Sequence, residues 1–354
     1  MNVEAFLTLV RMGVGHSTEI IAQPLEWSEI KSLAMRQGLY AIVLDSIDQL
    51  PKTQRPPKDL ALPWIGEVMQ GYEYRYEQYC RSISGLASFY RENGFKMMVL
   101  KGYVCSLDWP KPAHRPCGDI DIWQFGEQID ADAAIASKKG IKIDYSQHHH
   151  TVFMWQDFSV ENHYDFINVH HHKSNVELEK VFKELGKDEL HYVDVYGERI
   201  YLPSPNLHAL FLLKHSMSDF TSSSVTLRQL LDWGFHVQNH GEKIDWEWLF
   251  DILNKYHMVD YFNIVNAICV ENLGFESNMF PYTQVNPFLK DKVINDIFYP
   301  KYERKEPALI ITRLIYKYKR WKANRWKHEL CYNESIWSAF WSGIWNHLLK
   351  PSSF

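Results

Sequence analysis

Asp119 and Asp121 are separated by the single apolar residue Ile120. On a strand, residues two apart project from the same face, so the two carboxylates point together while Ile120 and Ile122 enter the core. Carboxylates roughly 6–7 Å apart along a strand can share hard divalent cations, which prefer oxygen ligands. A third acid on a neighbouring strand would complete the cage. The segment Ser159-Val-Glu-Asn-His-Tyr-Asp165 reads as such a strand. Glu161 is the first choice for the third ligand, and Asp165, on the same face by parity, the second.

The elements around these acids follow from pattern. Phe95–Lys101 is a short apolar run closed by Gly102, which suits a buried strand entering a tight turn. Tyr103–Trp109 reads as a short helix stopped by Pro110 and Pro112. Asp119–Phe125 alternates acidic and apolar residues as a strand does. Ala131–Lys139 reads as a helix and Ile141–Ser146 as a strand. Thr151–Gln156 and Phe158–Ile167 read as a hairpin turning at Gln156 and Asp157. The stretch from about 95 to 202 is therefore expected to be a mixed α/β core.

The ordered set Leu100-Lys101-Gly102, Arg115, Gly118-Asp119-Ile120-Asp121 and Val160-Glu161-x-His163 resembles the nucleotidyltransferase superfamily. Within it, the set is most similar to the uncharacterised bacterial nucleotidyltransferase family, which is itself distantly like nucleotidyltransferase-type toxins of toxin–antitoxin systems. Leu202–Ser216 and Arg228–Gly234 look like the helical segments that follow that family's core. The resemblance implies transfer of a nucleoside monophosphate from an NTP to a hydroxyl acceptor, with Mg²⁺ or Mn²⁺. It implies Asp119, Asp121 and Glu161 as catalytic and metal-holding residues, and two cations about 3.5–4 Å apart would stabilise the entering and leaving oxygens. It implies nucleotide contacts at Lys101, Gly102, Arg115, Gly118 and Lys214. Donors at the Gly102 turn suit phosphate, as does a bidentate Arg115. Two departures stand out. Lys101-Gly102-Tyr103 offers no serine hydroxyl where many superfamily members have Gly-Ser, and the polar Asn162 sits where a buried strand face favours an apolar residue.

Rival chemistry comes from two histidine runs, His148-His149-His150 and His170-His171-His172. Imidazoles at that density could bind Zn²⁺ for a hydrolase. Consecutive strand residues point to opposite faces, however, so no run forms a tetrahedral site alone, and polar loop ends or a phosphate-facing rim are the preferred reading. A further alternative is an inactive nucleotide- or partner-binding module on the same fold. The C-terminal stretch interleaves Lys317, Lys319, Arg320, Lys322, Arg325 and Lys327 with Tyr316, Tyr318, Trp321 and Trp326. That composition could meet RNA, although a solvated amphipathic helix is favoured over that use.

Around the core, helical periodicity dominates. Ser28–Gly38 reads as a short helix, Leu50–Trp64 as a Pro-rich surface connection, and Ile65–Arg91 as one long helix ending at Gly94. Asn206–Met217, Ser224–Val237, Trp246–Tyr256 and Tyr261–Leu273 are also helical. The expected class is α+β: an N-terminal helical region over 1–94, a mixed-sheet core over 95–202 and a C-terminal helical domain over 203–354.

Composition sets the outer limits. The 354 residues suit two to three compact units. A net charge of −5 argues against a dedicated duplex-DNA binder. No uncharged apolar run of about 18 residues occurs, so no membrane partner is expected. The start MNVEAFLTLVRMG lacks the pattern of a secretory signal. Five scattered cysteines without a CxxC pair suit a reducing cytoplasm.

Overall fold

A computed structural model describes residues 3–19, 21, 24–170, 172–188, 190–281, 285–302 and 309–334. The chain divides into two compact units, one formed from residues 3–68 and 212–334 and the other from residues 69–211. The second carries the sheet. Its strands are β1 (Met98–Val99), β2 (Ile120–Trp123), β3 (His150–Trp155), β4 (Phe158–His163), β5 (His191–Val195) and β6 (Glu198–Leu202). They lie in the order β3-β4-β2-β1-β6-β5. Pairing is parallel for β2 with β4 and for β1 with β6, and antiparallel elsewhere, so the sheet is mixed and the class is α+β.

Alternation along β2 and β4 decides what each face does. Ile120, Ile122 and Val160 are fully buried and join Phe153 and Phe158 in one apolar cluster. Tyr79, Ile83, Leu86, Phe89 and Tyr90 of the helix Arg75–Glu92 and Ala131 and Ile135 of the helix Gln128–Lys139 belong to the same cluster. Removing that much apolar surface from water is the main force holding β2 and β4 in place, and hence the acids on their other face.

Asn162 shares the core face, and its surroundings explain why a polar residue stands there. Asp132, 1% exposed, accepts a hydrogen bond from Asn162 Nδ2 at 2.9 Å and from Thr151 Oγ1 at 2.7 Å. A buried polar group is tolerated when partnered. These three residues tie β3, β4 and the helix Gln128–Lys139 together.

Several expected elements differ in extent. The Pro-rich connection is shorter than expected, because the helix Lys58–Val68 begins inside it and carries Pro63 within its length. The expected helix Ile65–Arg91 is interrupted by a π-helical turn, Met69–Tyr74, before resuming as Arg75–Glu92. Ile141–Ser146 is not a strand: among the described residues it makes a single bridge, Asp144 to Val152. The hairpin turns at Gln156 and Asp157 as expected, with Gln156 at φ 53°. Its second strand ends at His163, four residues early. The helix Lys173–Leu185 and the hairpin β5–β6 fill the remainder of the core span.

The other unit is helical and joins both ends of the described chain. Gln37 Nε2 donates to the Ile297 carbonyl at 2.9 Å, while its Oε1 accepts from Leu227 N at 2.9 Å. Phe6 meets Phe298 edge-on, with ring centres 6.1 Å apart. The helices expected after residue 205 are present as Pro205–Ser222, Leu227–His240, Trp246–Lys255 and Val259–Glu271. Of the basic aromatic stretch, Trp326 packs edge-on against Phe220 and Lys327 is buried in an ion pair with Asp296 at 2.6 Å. No described helix is long and apolar enough to cross a membrane.

Candidate active site

The parallel register of β2 and β4 sets Asp121 directly opposite Glu161. Asp119 precedes Asp121 by two residues and His163 follows Glu161 by two, so all four share a face. The antiparallel register of β3 and β4 then adds His150, which is the partner of His163. Asp121 is 1% exposed, whereas the Glu161 side chain keeps 24% of its surface open. The chain reaches this face from β1 as well. Leu100 N donates to the Asp121 carbonyl at 3.0 Å, and the next residue, Lys101, brings its Nζ to 2.7 Å from Asp121 Oδ1.

Gly102 makes that approach possible. Its φ is +54°, and a Cβ built there would lie 2.5 Å from the Tyr79 hydroxyl. That hydroxyl donates to the Asp119 carbonyl at 2.8 Å, fixing the backbone where β2 begins. Only glycine combines this φ with this proximity at no cost. Gly118 is exposed, and a Cβ there would meet nothing within 4 Å, which leaves open space beside Asp119.

Charge on this face is unevenly balanced. Burial works against the ammonium of Lys101, but Asp121, Asp119 and Glu161 outweigh it and hold its pKa above the usual value. Burial likewise opposes ionisation of Asp121, and Lys101 and His163 overcome it, so Asp121 stays ionised. Asp119 goes the other way: burial and the neighbouring Asp121 charge raise its pKa, with Lys101 only partly offsetting them. Burial disfavours the His163 cation too, yet its hydrogen bonds to Asp121 and Glu161 lift its pKa to about 9. Burial and the His163 charge push His150 down to about 4. The site therefore holds three carboxylates against two cations, and the surplus negative charge is felt at Asp119.

This donor set fits a divalent cation. Ligand atoms of Asp121, Glu161 and His163 all lie within 4.8 Å of one another, as do those of His149, His150 and His163. Carboxylate oxygens suit hard cations and imidazole nitrogen suits borderline ones.

A model of the uncharacterised nucleotidyltransferase family matches residues 23–274 of the chain. The chain belongs to that family. No curated protein matches it. Among solved structures, it is similar to an antigenic nucleotidyltransferase-like protein from Paracoccidioides brasiliensis at 14% identity and a TM-score of 0.33, over 45% of this chain and 75% of that one. The family match takes in the whole sheet of this nucleotidyltransferase-family chain and every candidate residue from Lys101 to Lys214.

Of the residues singled out by sequence, Lys101, Asp119, Asp121 and Glu161 meet on one face, with Gly102 and Gly118 at its margin. Arg115 is 5% exposed, and its Nη1 donates to the Pro116 carbonyl at 3.1 Å. Lys214 belongs to the helical unit, where its Nζ is buried and donates to the Tyr332 hydroxyl at 3.1 Å, so its charge is not presented at a surface for phosphate. Asp165 lies beyond the end of β4, where the chain bends and strand parity no longer applies, and it pairs with Lys183. His163 stands in the sequence motif without an assigned role. Its spacing from Glu161 was the available signal. His149 and His150 come together because β3 starts at His150, so the alternation rule does not reach His149. His171 lies outside the described residues.

Proposed function

We propose that this family member transfers a nucleoside monophosphate from an NTP to a hydroxyl acceptor at the Asp119, Asp121 and Glu161 face. The observation that carries this reading is the β2–β4 register, which sets Asp121 opposite Glu161 with Asp119 two residues away. A divalent cation of the Mg²⁺ or Mn²⁺ class, held by these carboxylates, would neutralise triphosphate charge and polarise the α-phosphoryl group. In the reaction the acceptor oxygen forms a bond to the α-phosphorus, the bond to pyrophosphate breaks, and the hydroxyl proton passes to a base. Glu161 has the solvent access to orient that hydroxyl and receive the proton at a carboxylate oxygen. Lys101 supplies positive charge beside Asp121 for the triphosphate. The open space at Gly118 leaves room for it, and Arg115 is a candidate phosphate donor.

Isothermal titration with ATP, GTP, CTP and UTP plus Mg²⁺ or Mn²⁺ tests the binding half. At least one nucleotide is expected to bind in a cation-dependent way, and Asp119→Ala/Asp121→Ala protein is expected to lose that dependence. Equal binding by the double variant would refute the site. Incubation with α-labelled NTPs and cell extract tests the transfer half: labelled product supports the enzyme, whereas binding without any labelled product supports a non-catalytic module.

A further inference from the structure

We propose that His163 and His150 complete the cation site with Asp121 and Glu161, so that it takes a borderline divalent metal of the Zn²⁺ class ahead of Mg²⁺. The inference rests on the carboxylate site proposed above and concerns which cation that site selects. His163 Nε2 lies 3.2 Å from Asp121 Oδ1 and 3.7 Å from Glu161 Oε2, and His150 Nε2 lies 3.8 Å from Glu161 Oε1. Ligands about 2.0–2.1 Å from a tetrahedral Zn²⁺ stand about 3.3 Å from one another. Ligand atoms of Asp121, Glu161 and His163 already lie within 4.8 Å of one another, whereas His150 reaches this set through Glu161 and has further to move.

The orientation of each ring is fixed by other contacts. His163 Nδ1–H donates to the Asp165 carbonyl at 3.2 Å, which turns Nε2 towards the carboxylates. A backbone carbonyl holding the far ring nitrogen is the usual support of a metal-bound histidine. His150 is 8% exposed, and its Nε2 is the ring atom that faces Glu161. The two rings are held as a cross-strand pair, with centres 5.1 Å apart. Lys101 Nζ occupies the Asp121 Oδ1 side of the site, so the ammonium and a bound cation compete for that oxygen. Mg²⁺ prefers an oxygen shell and keeps its waters, whereas imidazole favours Zn²⁺ and its neighbours.

Titration calorimetry of the nucleotide-free full chain with Zn²⁺, Mn²⁺ and Mg²⁺ reads the selectivity. Pulsed electron paramagnetic resonance of the Mn²⁺-loaded chain reads the ligands directly. The expected results are imidazole-nitrogen coupling to Mn²⁺ and Zn²⁺ affinity above Mg²⁺ affinity. His163→Asn and His150→Asn are each expected to weaken Zn²⁺ by about tenfold or more, with Mg²⁺ changed by less than about twofold. Mn²⁺ bound in an Asp121-dependent way without nitrogen coupling would overturn this inference and leave the carboxylate reading standing. Absence of any Asp121-dependent cation would end both. Should a histidine variant fail to fold, the coupling in the unsubstituted chain still decides.

Discussion

Lys101 shows how much a single side chain decides on this face. Its ammonium is the nearest counter-charge to Asp121, an acid with 1% of its surface in water. Removing one partner of such a pair strips a buried charge of compensation, and here, among the described residues, only His163 would remain beside Asp121. Lys101→Met is therefore expected to destabilise the cation-free chain by about 3 kcal/mol. Millimolar divalent cation should restore much of the lost melting temperature, because it supplies the missing charge. Thermal melts with and without cation check both halves, and no recovery on adding cation would count against the site. Asp121→Asn removes a proposed cation ligand and is expected to reduce transfer by about a thousandfold in a labelled-NTP assay, the several kcal/mol a positioned cation supplies. The two aspartates and Glu161 were legible in the sequence because strand parity is a local rule. The partner of Lys101 was not, since the pairing comes from β1 lying beside β2, a contact between residues 20 apart.

The strands and the turns between them carry the next level of argument. Asn162 looked anomalous in the sequence because its acceptor, Asp132, belongs to a helix 30 residues earlier. With Asp132→Ala, the Asn162 amide and the Thr151 hydroxyl both lose their acceptor inside the core. A loss of about 1–3 kcal/mol for each unsatisfied group is expected, read as a fall in the urea midpoint. Gly102→Ala meets two obstacles, a φ of +54° and the Tyr79 hydroxyl 2.5 Å from the new carbon. About 1–3 kcal/mol of destabilisation is expected, together with weaker nucleotide binding as Tyr79 releases the Asp119 carbonyl. Hairpin β3–β4 could be read from alternation and its turn residues. The end of β4 at His163 could not, because the bend that follows is fixed by Tyr164 N and Asp165 N, both donating to the His149 carbonyl at 3.1 Å. The π-helical interruption at Met69–Tyr74 has no signal in apolar periodicity, which continues through it.

At the scale of the whole chain, the helical character of both flanks was readable, but their union into one unit was not. It depends on long-range contacts such as those of Gln37 with Ile297 and Leu227. Inside that unit, burial pushes the Lys214 ammonium from its ordinary 10.5 down to about 7. Between those values the unfolded chain binds one more proton than the folded one, so stability rises with pH through that window. The penalty is fully present below pH 7. Lys214→Met is expected to flatten this rise, which urea denaturation at a series of pH values between 7 and 10 would reveal. An unchanged slope would show that Lys214 is not its source.

Because residues 69–211 interrupt a unit begun by residues 3–68, synthesis presents the pieces out of order. A ribosome releases the whole sheet before the helices after residue 212 exist. Until then Phe6, Leu9 and Leu33, all fully buried in the finished chain, have no complete core to enter. Nascent chains halted near residue 240 should therefore carry a protease-resistant middle and a cleavable beginning, and that beginning is where a chaperone would be needed.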